Sequence, residues 1–185
     1  MKVYPIRNKE KLNKIELILK ATNKRNYLLF VLGTNTGLRI SDILKLKVQD
    51  VKGQFINITE QKTQKKNTIK INKKLKEAIK EYLKSLKNYN DDTVLFSSRV
   101  GVNRPISIRR AQQIIKDIAI KVGINENINT HSLRKTFAYI CYKLSNNNIG
   151  LVMELLNHSK EIITLRYLCL IEEQKEDIID LLGTI

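Results

Sequence analysis

The stretch QFINITEQKTQKKNTIKINKKLKEAIKEYLKSLK, residues 54–87, changes its hydrophobic period halfway along its length. In its first part, QFINITE and NTIKIN alternate apolar with polar residues, and the apolar positions include Phe55, Ile58, Ile69 and Ile71. An alternation with period two is typical of strands, and the polar, basic connector QKTQKK separates the two runs. This part of the sequence therefore predicts a short β-hairpin or a turn in a small sheet.

The second part of the stretch has the period of an amphipathic helix. Its apolar residues recur three and four positions apart, at Leu75, Ala78, Ile79, Tyr82, Leu83 and Leu86. The same pattern occurs in NKEKLNKIELILKAT, with Leu12, Ile15, Ile18 and Leu19, and in SIRRAQQIIKDIAIKVG, with Ala111, Ile114, Ile115, Ile118 and Val122. Further helices are predicted in NYLLFVLGTNTG, SLRKTFAYICYKL, IGLVMELL and IEEQKEDIIDLL. The residues thus predict a mostly helical protein with a small sheet.

Local signals mark where some of these elements begin and end. Gly37 follows an apolar helical segment and is a plausible helix terminator, and Ser41 is a candidate N-cap for the helix SDILKL. VLFSS, from Val94 to Ser98, is a candidate for a further strand. With only 7 Gly and 2 Pro, and without a low-complexity linker, residues 1–185 are predicted to form a single domain.

The composition restricts the class of partner. The 42% hydrophobic fraction is sufficient for a core, and the formal net charge of +16 indicates a polyanionic partner. Nucleic acid is the commonest such partner, and an anionic membrane surface is the alternative. The sequence contains no recognisable signal peptide or long apolar run, which predicts a cytoplasmic protein. Cys141 and Cys169 are too few for a disulfide framework and do not form a metal motif.

Residue types suited to phosphate chemistry occur in four short stretches. They are Arg39 in GLRISD, Lys62 in EQKTQKK, His131 and Arg134 in THSLRKT, and His158 and Tyr167 in LLNHSKEIITLRYLCL. Each has an ordinary explanation when taken alone: a surface arginine, a solvated lysine, two polar residues on an exposed helix, a histidine at a turn and a core tyrosine. Together they provide the groups for metal-free attack on a phosphodiester.

The chemistry of phosphoryl transfer explains why these residue types belong together. The negative charge on the non-bridging oxygens must be stabilised, and the planar guanidinium groups of Arg39 and Arg134 can donate paired hydrogen bonds to them. The phenol of Tyr167 becomes a nucleophile when a neighbouring histidine removes its proton. The leaving sugar oxygen needs a proton, which Lys62 can supply. No carboxylate cluster that would hold a metal is evident near these stretches.

The six residues and their order resemble the tyrosine recombinase, or phage integrase, family. The matching motifs are TGLRISD, QKTQKK, THSLRKT, LLNHS and TLRYL, and the resemblance covers nearly the whole chain as a catalytic domain. It implies a mainly α fold with a small antiparallel three-stranded β-sheet. It also implies an enzyme without metal or other cofactor that recombines double-stranded DNA at specific sites.

The resemblance assigns a role to each residue. Tyr167 attacks the scissile phosphate and forms a 3′-phosphotyrosyl bond with release of a 5′-hydroxyl. Arg39, Arg134 and His158 bind the phosphate. His131 is the general base and acid, and Lys62 protonates the leaving oxygen. Because the phosphotyrosyl bond retains the energy of the cleaved link, a second strand can reseal it without ATP.

The resemblance also predicts DNA contacts outside the catalytic centre. The helix SIRRAQQIIK is expected to enter the major groove, where Arg109 and Arg110 reach guanine edges or phosphates. Lys65, Lys66, Lys135 and Arg166 are the expected phosphate neighbours. A protein with these contacts would be associated with the nucleoid.

The C-terminal segment of relatives passes to a neighbouring protomer and builds a tetramer on two DNA duplexes. The same is expected here when DNA is bound, whereas in the free monomer the segment is expected to fold back on its own domain. The corresponding apolar residues are Leu168, Leu170, Ile171, Ile178, Ile179, Leu181 and Leu182. The N-terminal core-binding domain that usually precedes the catalytic domain is expected to be absent. Asn157 replaces the glycine that usually precedes the second histidine, and Asn tolerates the left-handed conformation that such a turn requires.

Two other functions fit the same fold. One is a catalytically idle DNA-binding regulator, and the complete set of six residues argues against it. The other is a type IB topoisomerase, which uses nearly identical chemistry. Relaxation of a supercoiled plasmid, compared with recombination at a cognate site, separates the topoisomerase from the recombinase.

Overall fold

The computed structural model describes residues 2–170 and 179–183. The helices are α1 (Lys9–Thr22), α2 (Lys24–Thr36), α3 (Ile40–Ile43), α4 (Lys73–Ser85), α5 (Ile108–Lys121), α6 (Thr130–Leu144), α7 (Ile149–Leu155) and α8 (Glu161–Leu168). A 3-10 helix covers Val48–Val51, and the strands are β1 (Phe55–Thr59) and β2 (Lys66–Lys70). Within the described ranges, no helix has both the length and the hydropathy needed to cross a membrane.

Helix α2 lies at the centre of the core and packs against α1, α4 and α6. Its residues from Leu28 to Leu32 are fully buried, so this helix is apolar on all sides, as expected for an element surrounded by others. The predicted apolar faces of α1, α4 and α5 are confirmed, because their residues lie in or against this core. Asn8, Asn23 and Asn72 cap the first turns of α1, α2 and α4 through their side-chain oxygens.

Two glycines of α2 allow α6 to approach closely. A Cβ atom on Gly33 would lie 2.6 Å from Cδ1 of Leu133, and one on Gly37 would lie 2.4 Å from Cδ1 of Phe137. Gly37 also has φ = 64° and ends α2 in the left-handed conformation, which confirms the predicted terminator. These contacts bring the end of α2, which leads to Arg39, next to α6.

The sheet consists of two antiparallel strands, in which Phe55 is opposite Lys70 and Thr59 is opposite Lys66. The predicted mainly helical fold with a small antiparallel sheet is confirmed. The prediction of a third strand is wrong, because the sheet in the described residues has two strands. In the segment Val94–Ser98 only two isolated bridges form, from Val94 to Lys47 and from Ser97 to Pro105. Neither partner belongs to the hairpin, and Pro105 has no N–H to donate to a longer ladder.

Two local expectations also differ from the structure. Ser41 is not an N-cap, because α3 begins at Ile40 and the extended residue Arg39 occupies the cap position. On β1, Phe55 is 46% exposed and Ile56 is fully buried, so the even-numbered residues face the core. Since side chains alternate along a strand, Glu60 continues the inward face just beyond β1.

A second, smaller core lies beneath α6, α7 and α8. It contains the buried residues Ala138, Val152, Leu156, Leu168 and Leu170. Leu168 and Leu170 pack within this core, as expected for the free monomer, and their docking on a neighbouring protomer when DNA is bound stays a prediction. Of the other residues in that expectation, Ile179, Leu181 and Leu182 are exposed, and Ile171 and Ile178 lie outside the described residues.

Substitution of Gly33 tests the close packing of α2 on α6. Gly33→Ala is expected to lower the free energy of unfolding by about 1–3 kcal/mol, because the added methyl group overlaps the Leu133 side chain. Gly53→Ala is the control, because a Cβ atom at Gly53 would meet its nearest neighbour at 3.8 Å. Urea unfolding of the two variants measures the difference, and equal stability would contradict close packing at Gly33.

Candidate active site

Arg39 lies at the start of α3, immediately after the turn that ends α2. Its Nη1 donates to the carboxylate of Glu60 in an ion pair, and about a fifth of its side chain remains exposed. Within the described part of the chain, its Nε and Nη2 donate to no protein acceptor. Arg39 is therefore fixed at one end of its guanidinium group and has donors left for a ligand.

Glu60 is fully buried at the beginning of the hairpin connector, residues 60–65. Its Oε2 also accepts from Thr63 Oγ1 at 2.8 Å, and its Oε1 accepts from Nδ2 of Asn67 at 3.0 Å. Burial raises the pKa of this carboxyl group, but the hydrogen bonds from Thr63, Arg39 and Asn67 outweigh burial and lower it to about 2. Glu60 is therefore a carboxylate at neutral pH.

Arg134 is buried in the first turns of α6. Its Nη1 donates to the carbonyl of Gly37 at 2.6 Å and its Nη2 to the carbonyl of Leu156 at 2.8 Å. Burial is the main reason why its pKa is lowered from the ordinary arginine value. Because each Nη carries a second hydrogen, the two backbone bonds fix the group without using all its donors.

His158 follows the turn that ends α7. Asn157 has φ = 55°, which confirms that asparagine provides the left-handed residue expected before this histidine. Nδ1 of His158 lies 3.0 Å from Oγ1 of Thr164, which is fully buried in α8. Burial, followed by the charges of Arg134 and Arg39, lowers the pKa of His158 to about 4, so the ring is neutral at pH 7.

Tyr167 lies in the last turn of α8, beside His158 and Arg134. The rings of His158 and Tyr167 have centroids 5.3 Å apart at 76°, an edge-to-face contact. Burial raises the pKa of the Tyr167 phenol, whereas the nearby guanidinium groups of Arg134 and Arg39 lower it. Burial prevails, so the charges of the two arginines do not ionise the phenol by themselves.

An N-terminal strap, residues 2–8, fixes the end of α8 from the opposite side. Nη2 of Arg7 donates to the carbonyl of Leu168 at 2.9 Å. The carbonyl of Val3 accepts from Nζ of Lys135 at 2.8 Å, and this ammonium group lies 5.4 Å from the centroid of the Tyr167 ring. The strap thus restrains both the backbone after Tyr167 and a cation beside its ring.

His131 and Lys62 lie at the exposed rim of the site. His131 is in the first turn of α6, and Lys62 is in the hairpin connector. Partial loss of water lowers the pKa of His131, and the charges of Arg134, Lys135, Arg39 and Lys62 lower it further. His131 thus experiences charges both from the hairpin connector and from α6 itself.

The residues expected to contact DNA occupy different environments. Lys65 and Lys66 are exposed on the hairpin, Arg109 and Arg110 are exposed in the first turn of α5, and Arg166 is exposed on α8. Lys135 differs from these residues, because its ammonium group already bonds to Val3 and lies near the sulfur of Cys169.

Glu60 and Thr164 were not identified from the sequence as residues of the site. A signal for Glu60 existed, because Ile56, Ile58 and Glu60 share one face of a strand with period two. Such a pattern places a carboxylate toward the core, where it needs a partner. Thr164 had no comparable signal, because a threonine in a short apolar helix is common. Among the described residues, no group of His, Cys, Asp and Glu side chains is arranged to hold a metal ion.

This mainly helical fold, which brings Arg134, His158 and Tyr167 together, is the catalytic-domain fold of the tyrosine recombinases. The sequence model of the phage integrase family matches residues 9–173, and the chain therefore belongs to the phage integrase family. It is a tyrosine-type site-specific recombinase by this relationship.

Individual relatives support this assignment. The chain is 42% identical over 172 residues to the probable integrase/recombinase YoeC of Bacillus subtilis (strain 168), covering 92% of each chain. It is 32% identical over 161 residues to a tyrosine recombinase of Pseudothermotoga lettingae, covering 85% of this chain and 54% of that relative. The chain thus spans nearly all of the first relative and about half of the second.

Solved structures show the same fold at lower identity. The crystal structure of XerA recombinase has a TM-score of 0.74 at 23% identity, over 90% of this chain and 60% of that one. The XerH recombinase bound to its difH substrate has a TM-score of 0.72 at 22% identity, over 98% of this chain and 54% of that one.

The lowered pKa of His158 predicts a pH dependence of stability. The folded value is about 4 and the ordinary value is 6.5, so the unfolded chain binds more protons between these values. The free energy of unfolding should therefore fall as the pH decreases from 6.5 toward 4. His158→Gln, which does not titrate, should lose less stability than the wild type between about pH 7 and pH 5, as measured by urea unfolding.

Two controls separate this effect from other titrations. The pKa of Glu60 is lowered from 4.5 to about 2, so its contribution is lost only below this window. The pKa of His131 is also lowered, and His131→Gln measures its share. An identical decrease in stability for wild type and His158→Gln would contradict a neutral, desolvated His158.

Proposed function

We propose that the protein cleaves and rejoins double-stranded DNA at a specific site through a covalent bond between Tyr167 and the DNA. The observation that carries this proposal is the placement of the Tyr167 phenol against Arg134 and His158. Arg39, Arg134 and His158 hold the scissile phosphate, and the oxygen of Tyr167 attacks phosphorus. The products are a 3′-phosphotyrosyl bond and a free 5′-hydroxyl.

Proton transfer divides between the two residues at the rim. The phenol of Tyr167 is protonated before attack because burial raises its pKa, so a base is required. His131 has a lowered pKa and is largely neutral at pH 7, which suits it to accept this proton and later return it. Lys62 donates a proton to the leaving 5′ oxygen. The transition-state charge is stabilised by the arginines, so neither a metal ion nor ATP takes part.

Several features support DNA as the substrate. The formal charge is +16, and exposed basic residues surround the site on the hairpin, α5 and α8. Among solved structures of the same fold, XerH is bound to a difH substrate and lambda integrase is bound to a core site as a dimer. Arg109 and Arg110 read the major groove, and Lys65, Lys66 and Arg166 contact phosphates. Lys135 acts from within the protein by restraining Tyr167.

We also propose that the C-terminal segment joins copies of the protein into a tetramer on paired DNA sites. Ile179 and Leu182 expose 66% and 64% of their surface, although both are large and apolar. Burial of two such side chains against another copy removes unfavourable contact with water. Leu168 and Leu170 instead keep the start of this segment anchored in its own protomer.

Trapping a covalent adduct tests the proposed reaction. A cognate duplex is first selected from a randomised pool by binding to the Tyr167→Phe variant, which retains the basic surface. A nick placed in that duplex beside the scissile phosphate allows the 5′-hydroxyl fragment to diffuse away. Wild type should then accumulate a protein–DNA adduct in the presence of EDTA and without ATP, and peptide mapping should locate the DNA on Tyr167.

The Tyr167→Phe variant is the control for the proposed nucleophile. Tyr167→Phe should bind the selected duplex with unchanged affinity and form no adduct, because only the phenolic oxygen is removed. Attachment of the DNA to another residue would assign a different nucleophile. A wild-type protein that binds the selected duplex but gives no adduct at any nick position would support an idle DNA-binding regulator.

Surface substitutions test the proposed assembly. Ile179→Asp combined with Leu182→Asp should prevent multimeric complexes on two-site DNA while leaving binding to a single site unchanged, because charges oppose apolar docking. Leu17→Asp is the control, because Leu17 is 71% exposed on α1 and is outside the proposed contact. Native gel electrophoresis and light scattering measure both variants. Unchanged multimeric complexes in the double variant would refute the docking role.

A further inference from the structure

Glu60 joins four parts of the site through one carboxylate. Its two oxygens accept from Arg39 at the start of α3, from Thr63 in the hairpin connector and from Asn67 on β2. Nδ2 of Asn157, the residue before His158, also lies 3.5 Å from Oε1. Thr63 and Asn67 belong to the same hairpin as Glu60, whereas Arg39 and Asn157 are 21 and 97 residues away, so Glu60 links the hairpin to two other parts of the site.

A buried carboxylate is costly unless it is paired. The hairpin connector does not explain its presence, because backbone bonds already close that turn, from the N–H of Glu60 to Lys65 and from the N–H of Gln64 to Glu60. An apolar side chain at position 60 would continue the inward face of Ile56 and Ile58 without a desolvation cost. The hairpin fold therefore does not require a charge at position 60. The charge is needed by Arg39, the residue with which Glu60 forms its ion pair.

Arg39 depends on Glu60 for its orientation. Arg134 is held by two backbone carbonyls inside the core, whereas Arg39 has a single anchor and is partly exposed. A long arginine side chain loses conformational entropy when it is fixed. An anchor that fixes Arg39 before DNA arrives removes this cost from the reaction.

We propose that Glu60 is a positioning residue, which holds Nη1 of Arg39 so that the remaining guanidinium donors face the scissile phosphate. The same carboxylate keeps the connector that carries Lys62 and the turn that carries His158 in register with Arg39. This inference rests on the proposed strand-cleavage function. Glu60 acts through Arg39 and does not itself contact the substrate.

The charge of Glu60 gives this role a distinct signature. A negative charge beside Arg39 repels DNA phosphate, so its removal strengthens or preserves DNA binding. The loss of orientation slows the chemical step, because a misplacement of about 1 Å can cost about a hundredfold in rate. Glu60 therefore improves cleavage at the expense of ground-state binding. Substitution of a purely structural residue would instead lower the cleavage rate and the DNA affinity together.

Glu60→Gln tests this signature, because glutamine keeps the size and one acceptor oxygen but not the charge. On the nicked duplex selected above, the variant should form the Tyr167 adduct about tenfold or more slowly under single-turnover conditions. Its affinity for that duplex should be unchanged or higher. Glu16→Gln is the matched control, because it loses the charge of a glutamate that pairs with Lys74 on the helical side of the core. The control should change neither quantity.

A second background isolates the route through Arg39. In Arg39→Lys the planar fork is absent, so adding Glu60→Gln should slow adduct formation much less than it does in the wild type. The mobility of Arg39 can also be followed in each folded protein without DNA. The heteronuclear NOE of its side-chain Nε–H should indicate an ordered group in wild type and a mobile group in Glu60→Gln.

The outcomes separate this inference from the proposed function. Absence of an adduct in wild type would remove the proposed function itself. If wild type forms the adduct, three results overturn the positioning role: a wild-type cleavage rate in Glu60→Gln, a parallel loss of cleavage and binding, or an unchanged Arg39 NOE. Thermal unfolding of each variant confirms that the compared proteins are folded.

Discussion

The pair of hydrogen bonds from Arg134 to the carbonyls of Gly37 and Leu156 is the constraint on which the site depends. The two carbonyls end helices α2 and α7, where backbone acceptors lack partners within their own helix. A buried guanidinium group satisfies both and ties the ends of two helices to α6. The same guanidinium group interacts electrostatically with the phenol of Tyr167, the proposed nucleophile. A lysine has no planar fork with which to serve two carbonyls and a ligand together.

The helix geometry around Arg134 follows from small residues and a special backbone conformation. Gly33 and Gly37 allow α6 to lie against α2, and the left-handed Gly37 directs its carbonyl toward Arg134. At the other end, the left-handed Asn157 turns the chain from α7 back toward His158. The strap then holds the backbone after Tyr167 through Arg7. The site is thus assembled from helix ends and turns, which the packed helices hold in place.

The sequence predicted most of this arrangement because its strongest signals are periodic or chemical. The apolar face of α4, which includes Leu75 and Tyr82, could be predicted from the helical period alone. The parts that were not predicted depend on tertiary contacts. The segment from Val94 to Ser98 has strand-like residues but meets Pro105, whereas Leu168 has the character of an exposed tail but completes a core. Glu60 has a local signal in its strand register, but its partner Arg39 is far away in sequence, and only the fold shows that they meet.

The pKa shifts explain how such a site remains inactive before substrate binds. Burial favours the neutral forms of both His158 and the Tyr167 phenol. A bound phosphodiester brings a negative charge, which raises the pKa of the phenol further, and it also pairs with the arginine charges that otherwise lower this pKa. Ionisation of Tyr167 ahead of attack is therefore unfavourable both with and without DNA. In the proposed reaction the proton therefore leaves as the oxygen–phosphorus bond forms, when negative charge moves from the phenolic oxygen to the phosphate oxygens bound by Arg39 and Arg134. A neutral histidine at the rim is consistent with this coupling, because it accepts a proton only when a substrate is present to complete the transfer.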